Sequence, residues 1–199
     1  MYKNKQSTMK GLIHFFQQYR KLSPEALDFI RSQGKIKTYV KNEWYKQEAE
    51  LIPKWCFVLD GLVAKIGYKK GNTEYIERLC PTQGCFTGSK HAFSSSREPL
   101  AIQFLQPTTL YEIPITALQE ALTKFPELKE IYQILQQHRQ LRLQEQVHIL
   151  RLPVIQRLHA LFIVRPQIFA HLTVAQRMSY LGISNYREYY KALNYHMRQ

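Results

Sequence analysis

Near its end this chain carries the run HLTVAQRMSYLGISNYREYYKAL (171–193), which collects the side chains best suited to contact with a charged polymer. Ser184, Asn185, Arg187 and Lys191 fall close together there, and Asn194 follows directly after the run. An arginine fork can pair with a guanine edge, asparagine with adenine, and lysine with phosphate or guanine. A spacing of four puts Arg187 and Lys191 on one side of a helix, with Asn194 about one turn beyond. Asn185 followed three positions later by Glu188 predicts a capping box at the start of that helix. Tyr186, Tyr189, Tyr190 and Leu193, at i, i+3, i+4 and i+7, predict its buried face. Ahead of it, Val174, Met178 and Leu181 predict a first helix over 174–181, and Gly182 a tight turn between the two.

Other chemistry finds little support. Cys56, Cys80 and Cys85 make an odd count that suits a reducing compartment. Cys80-x4-Cys85 has no further ligands nearby, and no cysteine cluster exists for an iron–sulfur centre. The histidines at 14, 91, 138, 148, 159, 171 and 196 are scattered, whereas a jelly-roll metalloenzyme wants several on neighbouring strands. The expectation is therefore no enzyme, no metal and no cofactor. No stretch approaches the roughly 20 apolar residues of a membrane crossing, and the N-terminal run lacks a signal-peptide cleavage pattern. A cytoplasmic protein with no membrane contact is expected. The net charge is +13, and from Gln136 onward nine Lys or Arg face only Glu145 and Glu188. Such basicity suits a polyanionic partner, most simply duplex DNA.

The elements that must position these residues can be read along the chain. Residues 8–33 predict one or two helices. In SPEALDFIRSQG, Ser23 caps, Pro24 takes the first helical position and Gly34 stops the helix. From Lys35 to Ile113, short β-branched and aromatic runs predict many strands: KIKTYV, WCFVLDGLVAKIGY, TEYIERL, LAIQFLQ and TTLYEI. Gly61, Gly71-Asn72, Pro81, Gly84, Gly88 and Pro107 punctuate them, with Gly71-Asn72 as a hairpin turn. Such spacing favours a sandwich or jelly roll. After Pro114 the chain reads as helix. Pro126 to Leu152 would span about 40 Å, and Ile131, Ile134, Leu135, Leu141 and Leu150 form a broken apolar stripe in want of a partner. A second copy of the chain is the economical partner; packing on its own barrel is the alternative. Pro153 opens a further helix, followed by Pro166.

Helix, roll, long helix and helix-turn-helix, in that order, resemble the Crp/Fnr family of bacterial transcription regulators over nearly the whole chain. FVLDGLVAKI resembles the family's central roll strands, and CPTQGCFTG the glycine turn that opens its effector cassette. Arg157, Pro166 and SYLGIS resemble the C-terminal module of short members from a Bacteroidetes-like branch. The resemblance implies an α+β protein. Residues 1–125 would form a cyclic-nucleotide-binding-like β-roll with N-terminal helices, 126–152 a long dimerisation helix, and 153–199 a small all-α helix-turn-helix domain.

In cyclic-AMP-binding members a Glu after the cassette glycine holds the ribose, and an Arg-Ser pair grips the phosphate. Here Cys85 follows Gly84, and Glu98-Pro99 stands where Arg-Ser would. A carboxylate there repels phosphate; Arg97 substitutes only if the loop slips. Leu143 and Gln144 occupy the adenine-capping positions on the long helix. The candidate ligand set is Gly84, Cys85, Phe86, Thr87, Arg97 and Gln144. The expectation is a roll that does not take cyclic AMP and either holds an unknown small effector or is filled. The helix-turn-helix departs from the family as well. Arg177-Met178 replaces a usual Ile-Ala pair, and Tyr189-Tyr190 replaces the base-reading Ser-Arg pair. The reading is a homodimeric DNA-binding regulator using Ser184, Asn185, Arg187, Lys191 and Asn194. The alternative is a degenerate member that binds no DNA and acts as a small-ligand sensor or protein-interaction dimer.

Overall fold

A computed structural model of the chain describes residues 2–48, 50–69, 71 and 73–199. Two helices open it, α1 (Tyr2–Gln17) and α2 (Pro24–Gln33). Ser23 caps α2 by accepting from the Ala26 N–H, and its hydroxyl donates to Glu127 at 2.6 Å, which ties α2 to a later helix. Gly34 ends α2 as expected from its position.

Strands β1 (Lys35–Tyr39), β2 (Trp44–Lys46), β3 (Ile52–Asp60), β4 (Leu62–Tyr68), β5 (Glu74–Pro81), β6 (Cys85–Gly88), β7 (Ala101–Phe104) and β8 (Thr108–Pro114) follow. They form two antiparallel sheets, ordered β1-β8-β3-β6 and β2-β7-β4-β5, which is the expected roll. The sequence reading missed β2, only three residues long, and took β6 for part of a glycine turn. β4 and β5 pair from Leu62↔Pro81 to Tyr68↔Glu74. Gly71 in their connection has φ +88°; Asn72, the other half of the predicted turn, lies outside the described residues.

Val58, Val63, Phe86, Ile102, Phe104 and Leu110 fill the space between the sheets. Outside the first sheet, Trp55, Phe57, Tyr111 and Ile113 pack under α1, α2, α3 (Ile115–Lys124) and the start of α4 (Pro126–Arg151). Outside the second sheet, Leu62, Ala64, Ile66 and Ile76 join one cluster with the C-terminal helices α5 (Val154–Val164), α6 (Pro166–His171), α7 (Val174–Leu181) and α8 (Tyr186–His196). Strand β4 is consequently buried on both faces, and only its last residue is partly open.

α4 extends about 39 Å. Its expected outward stripe is corrected: Ile131 and Leu135 turn into the chain's own core, and Leu150 is half-buried. Leu141 stays on the outer side, joined by Val147, which the sequence reading had not placed there; they are 54% and 47% exposed.

Gly61, between β3 and β4, has φ +108°, and an added Cβ would meet Thr108 Oγ1 at 2.4 Å and the Pro107 carbonyl at 2.7 Å. Both the backbone region and the lack of space require glycine. We expect Gly61→Ala to lower stability by about 2–4 kcal/mol in urea unfolding; an unchanged midpoint would show that the turn tolerates a side chain.

Candidate nucleic-acid interface and sensor pocket

The turn between α7 and α8 is built from short-range chemistry. Thr173 and Gln176 form a reciprocal capping box at the start of α7, a Thr-x-x-Gln signal that the sequence reading overlooked. Gly182 stops α7 in the left-handed region, φ +63°. Arg157 braces this corner, donating to the Leu152 carbonyl at 3.0 Å and the Leu181 carbonyl at 2.9 Å. Asn185 caps α8 by accepting from the Glu188 N–H at 3.0 Å. The Glu188 carboxylate accepts from Ser184 Oγ at 2.9 Å, so the predicted box is half formed and Ser184 completes it.

The packing register of α8 corrects the sequence reading. Tyr189 is 1% exposed and Ala192 fully buried, while Tyr186 and Tyr190 stand 57% and 56% open. Periodicity put all three tyrosines and Leu193 on one inner face. The helix is instead rotated so that small Ala192 lets α8 lie close on α5, and Leu193 packs at the edge of that core. Arg177 accounts for part of this choice. Its guanidinium lies over the Phe169 ring, 4.1 Å from the centroid, and donates to the Tyr189 hydroxyl at 3.1 Å. The Arg177 that departs from the family pattern thus satisfies the buried tyrosine.

Ser184, Asn185, Arg187, Lys191 and Asn194 are all exposed. Among the described residues no carboxylate pairs with Arg187 or Lys191. Tyr186 and Tyr190 share their face, so the outer side of α8 alternates phenol rings with cations and an amide. Hydroxyls and cations of this kind can meet phosphates, and the arginine and asparagine can meet base edges.

Behind this surface, His159 Nδ1 and His196 Nδ1 lie 3.1 Å apart between α5 and α8. Burial and the neighbouring His159 hold His196 below its ordinary value of 6.5. The unfolded chain then binds this proton more readily than the folded one. Stability should fall as pH drops through about 6.5 and level off below the folded value. His196→Asn should flatten the decline in Tm measured between about pH 7.5 and about pH 5.5; an equally steep decline in the variant would remove this role.

The loop around Glu98 is held by the chain's own charges. Glu98 is buried and pairs with the buried Lys65 of β4. Lys46 Nζ donates to the carbonyls of Glu98 at 2.8 Å and Leu100 at 3.0 Å, fixing the same loop. Burial holds the Lys65 ammonium below its usual value, against the pull of Glu98. Thr87 spends its hydroxyl on the Ser89 carbonyl at 2.7 Å, and Arg97 points into solvent.

A cavity of about 60 Å³ lies where β4–β6 meet α4 and the C-terminal helices. Cys85 and Phe86 line it; Gly84, Thr87, Arg97 and Gln144 do not, and Leu143 lines it in place of Gln144. It also carries Lys65, Arg78, Arg139, Arg142 and Arg165, none of which the ligand reading had included. The excess of arginine on α4 was the available signal. The cavity holds about four waters, far less than a nucleotide.

No family model matches the sequence, and no curated protein is significantly similar to it. Solved structures are similar in fold. FixK2 from Bradyrhizobium japonicum is 14% identical, with 83% of this chain and 85% of that one aligned at a TM-score of 0.68. The c-di-GMP-responsive global regulator CLP of Xanthomonas campestris is 12% identical over 88% of this chain and 93% of that one, TM-score 0.67. A transcriptional regulator assigned to the crp/fnr family from Eubacterium rectale is 12% identical over 89% and 84%, TM-score 0.68. The chain therefore has the Crp/Fnr type of fold: a cyclic-nucleotide-binding-like roll, a long helix and a helical C-terminal module. Among the described residues no helix is long and apolar enough to cross a membrane.

Glu98→Gln would leave the Lys65 ammonium buried without its counter-charge and should cost about 3–5 kcal/mol of stability. The double variant Lys65→Met, Glu98→Leu removes both charges and should stay within about 2 kcal/mol of the parent. Equal losses in chemical denaturation for the two variants would show that volume, not charge, governs the site.

Proposed function

We propose that the protein is a cytoplasmic transcription regulator that binds duplex DNA as a homodimer and does not respond to cyclic AMP. The observation that carries this reading is the outer face of α8. Arg187, Lys191 and Asn194 are exposed there, directly after a helix-turn-helix corner, and among the described residues neither cation forms an ion pair. Residues 1–125 serve as sensor, 126–152 as the dimerisation arm and 153–199 as the DNA-binding module. Leu141 and Val147 on the open side of α4 offer the seam for a second copy. Two copies so joined would present their α8 helices to successive major grooves about 34 Å apart. Resistance to cyclic AMP is supported by Glu98, which stands where the family resemblance expects the phosphate grip, and by a cavity of about 60 Å³, small for a nucleotide.

The second reading, a dimer that contacts protein and not DNA, draws on the exposed Ile155, Ile163 and Val164 of α5. Anisotropy of labelled duplexes selected from random sequence separates the two. The regulator should bind with log K falling linearly against log salt. Arg187→Ala with Lys191→Ala should reduce that slope by about 2–4 across a dimer. Absence of binding even at roughly 50 mM salt would sink the regulator and leave the protein-contact dimer.

A further inference from the structure

Three arginines share one cavity in which the lining carboxylate, Glu145, is already paired with Arg165. Arg78 projects from β5, and Arg139 and Arg142 from successive turns of α4. Two other cations line the same space, but each has its own carboxylate: Lys65 pairs with Glu98, and Arg165 pairs with Glu145, Nε to Oε2 at 3.0 Å. Among the described residues, no carboxylate forms an ion pair with Arg78, Arg139 or Arg142. All three are half-buried. A guanidinium cannot relieve such crowding by losing its proton. The thiols in the wall cannot supply the missing negative charge either, since burial pushes Cys80 up to about 12 and raises Cys85 as well.

Size and charge together define what fits. A space for about four waters admits a single tetrahedral oxyanion or a very short ester of one. Three planar forks lining one space from two elements suit a centre with several oxygens and more than one charge better than a lone carboxylate. On one side the cavity shares Arg142 and Arg165 with a wider cleft of about 640 Å³, bordered by Gly61, Thr82, Gln106 and His171. That cleft gives an entry path and room for a short organic tail.

We infer that this cavity is a receptor site for a small phosphate-class polyanion: inorganic phosphate, pyrophosphate or a short phosphomonoester. The anion is held by Arg78, Arg139 and Arg142. It also reaches Arg165, which belongs to the C-terminal module, and so competes with Glu145 for the tie between α4 and that module. Anion binding itself is independent of DNA recognition; only its role as a regulatory input rests on the regulator reading.

Equilibrium dialysis of the full chain against radiolabelled orthophosphate tests the site directly. Saturable uptake near one phosphate per chain is expected, and no saturable uptake overturns the proposal. Inorganic phosphate, pyrophosphate and glycerol phosphate are then compared with chloride of equal ionic strength by thermal shift. At about a hundred times Kd, the bound species should raise Tm by roughly 5–10 °C above the chloride control. Arg139→Gln with Arg142→Gln, and separately Arg78→Gln, should each lower phosphate affinity at least about tenfold. Arg187→Ala with Lys191→Ala should leave it unchanged. Loss of uptake in that surface variant, with retention in the cavity variants, would assign the phosphate to the DNA-facing helix and refute the cavity site. Because dialysis uses the parent protein, instability of a cavity variant does not shield the proposal.

Discussion

The burial of β4 on both faces is the constraint from which the rest of the architecture follows. Val63 belongs to the core between the sheets, while Leu62, Ala64 and Ile66 need cover from outside. A roll sheet with an apolar outer face cannot stand in water, at roughly 25 cal/mol for each Å² exposed. The C-terminal helices supply the cover, and Ser179 of α7 adds a bond from the Ile76 N–H at 2.8 Å. The helix-turn-helix is thereby docked against the roll's second sheet and not merely carried at the end of α4.

Electrostatics is arranged around the same junction. Lys65 and Glu98 close the roll's interior as an ion pair with little access to water. Such a pair is a poor source of stability in itself, since desolvation offsets most of the attraction. Its effect is to fix the loop that carries Glu98 onto β4. Arg78, Arg139 and Arg142, without an ion pair among the described residues, line the cavity between the roll, α4 and the C-terminal helices. Cations thus collect at the boundary between the roll, α4 and the C-terminal helices.

Much of this was legible in the sequence wherever one residue type has one local consequence. Ser23 and Asn185 cap helices, Gly182 takes a left-handed corner, and prolines mark helix starts at 126 and 153. The order of elements was legible for the same reason, since strand and helix periods differ. β2 and β6 escaped because three or four residues carry too little pattern to register. Glu98 was recognised as hostile to phosphate, but its partner Lys65 lies 33 positions away. No local rule joins the two.

The chain alone determined the class of fold, the corner between α7 and α8, and the placing of Arg187, Lys191 and Asn194 on one helix. These depend on backbone preferences and short spacings, which neighbours along the chain dictate. Tertiary structure decided which way α8 faces. Tyrosine is at home both in a core and at a wet surface, so three tyrosines left the helix's rotation undetermined. Close contact with α5 through Ala192, and the hydroxyl partner that Arg177 offers Tyr189, settled it. Tertiary structure likewise gathered Arg78 with Arg139 and Arg142, because long-range proximity between a strand and a helix is set by packing and not by sequence distance.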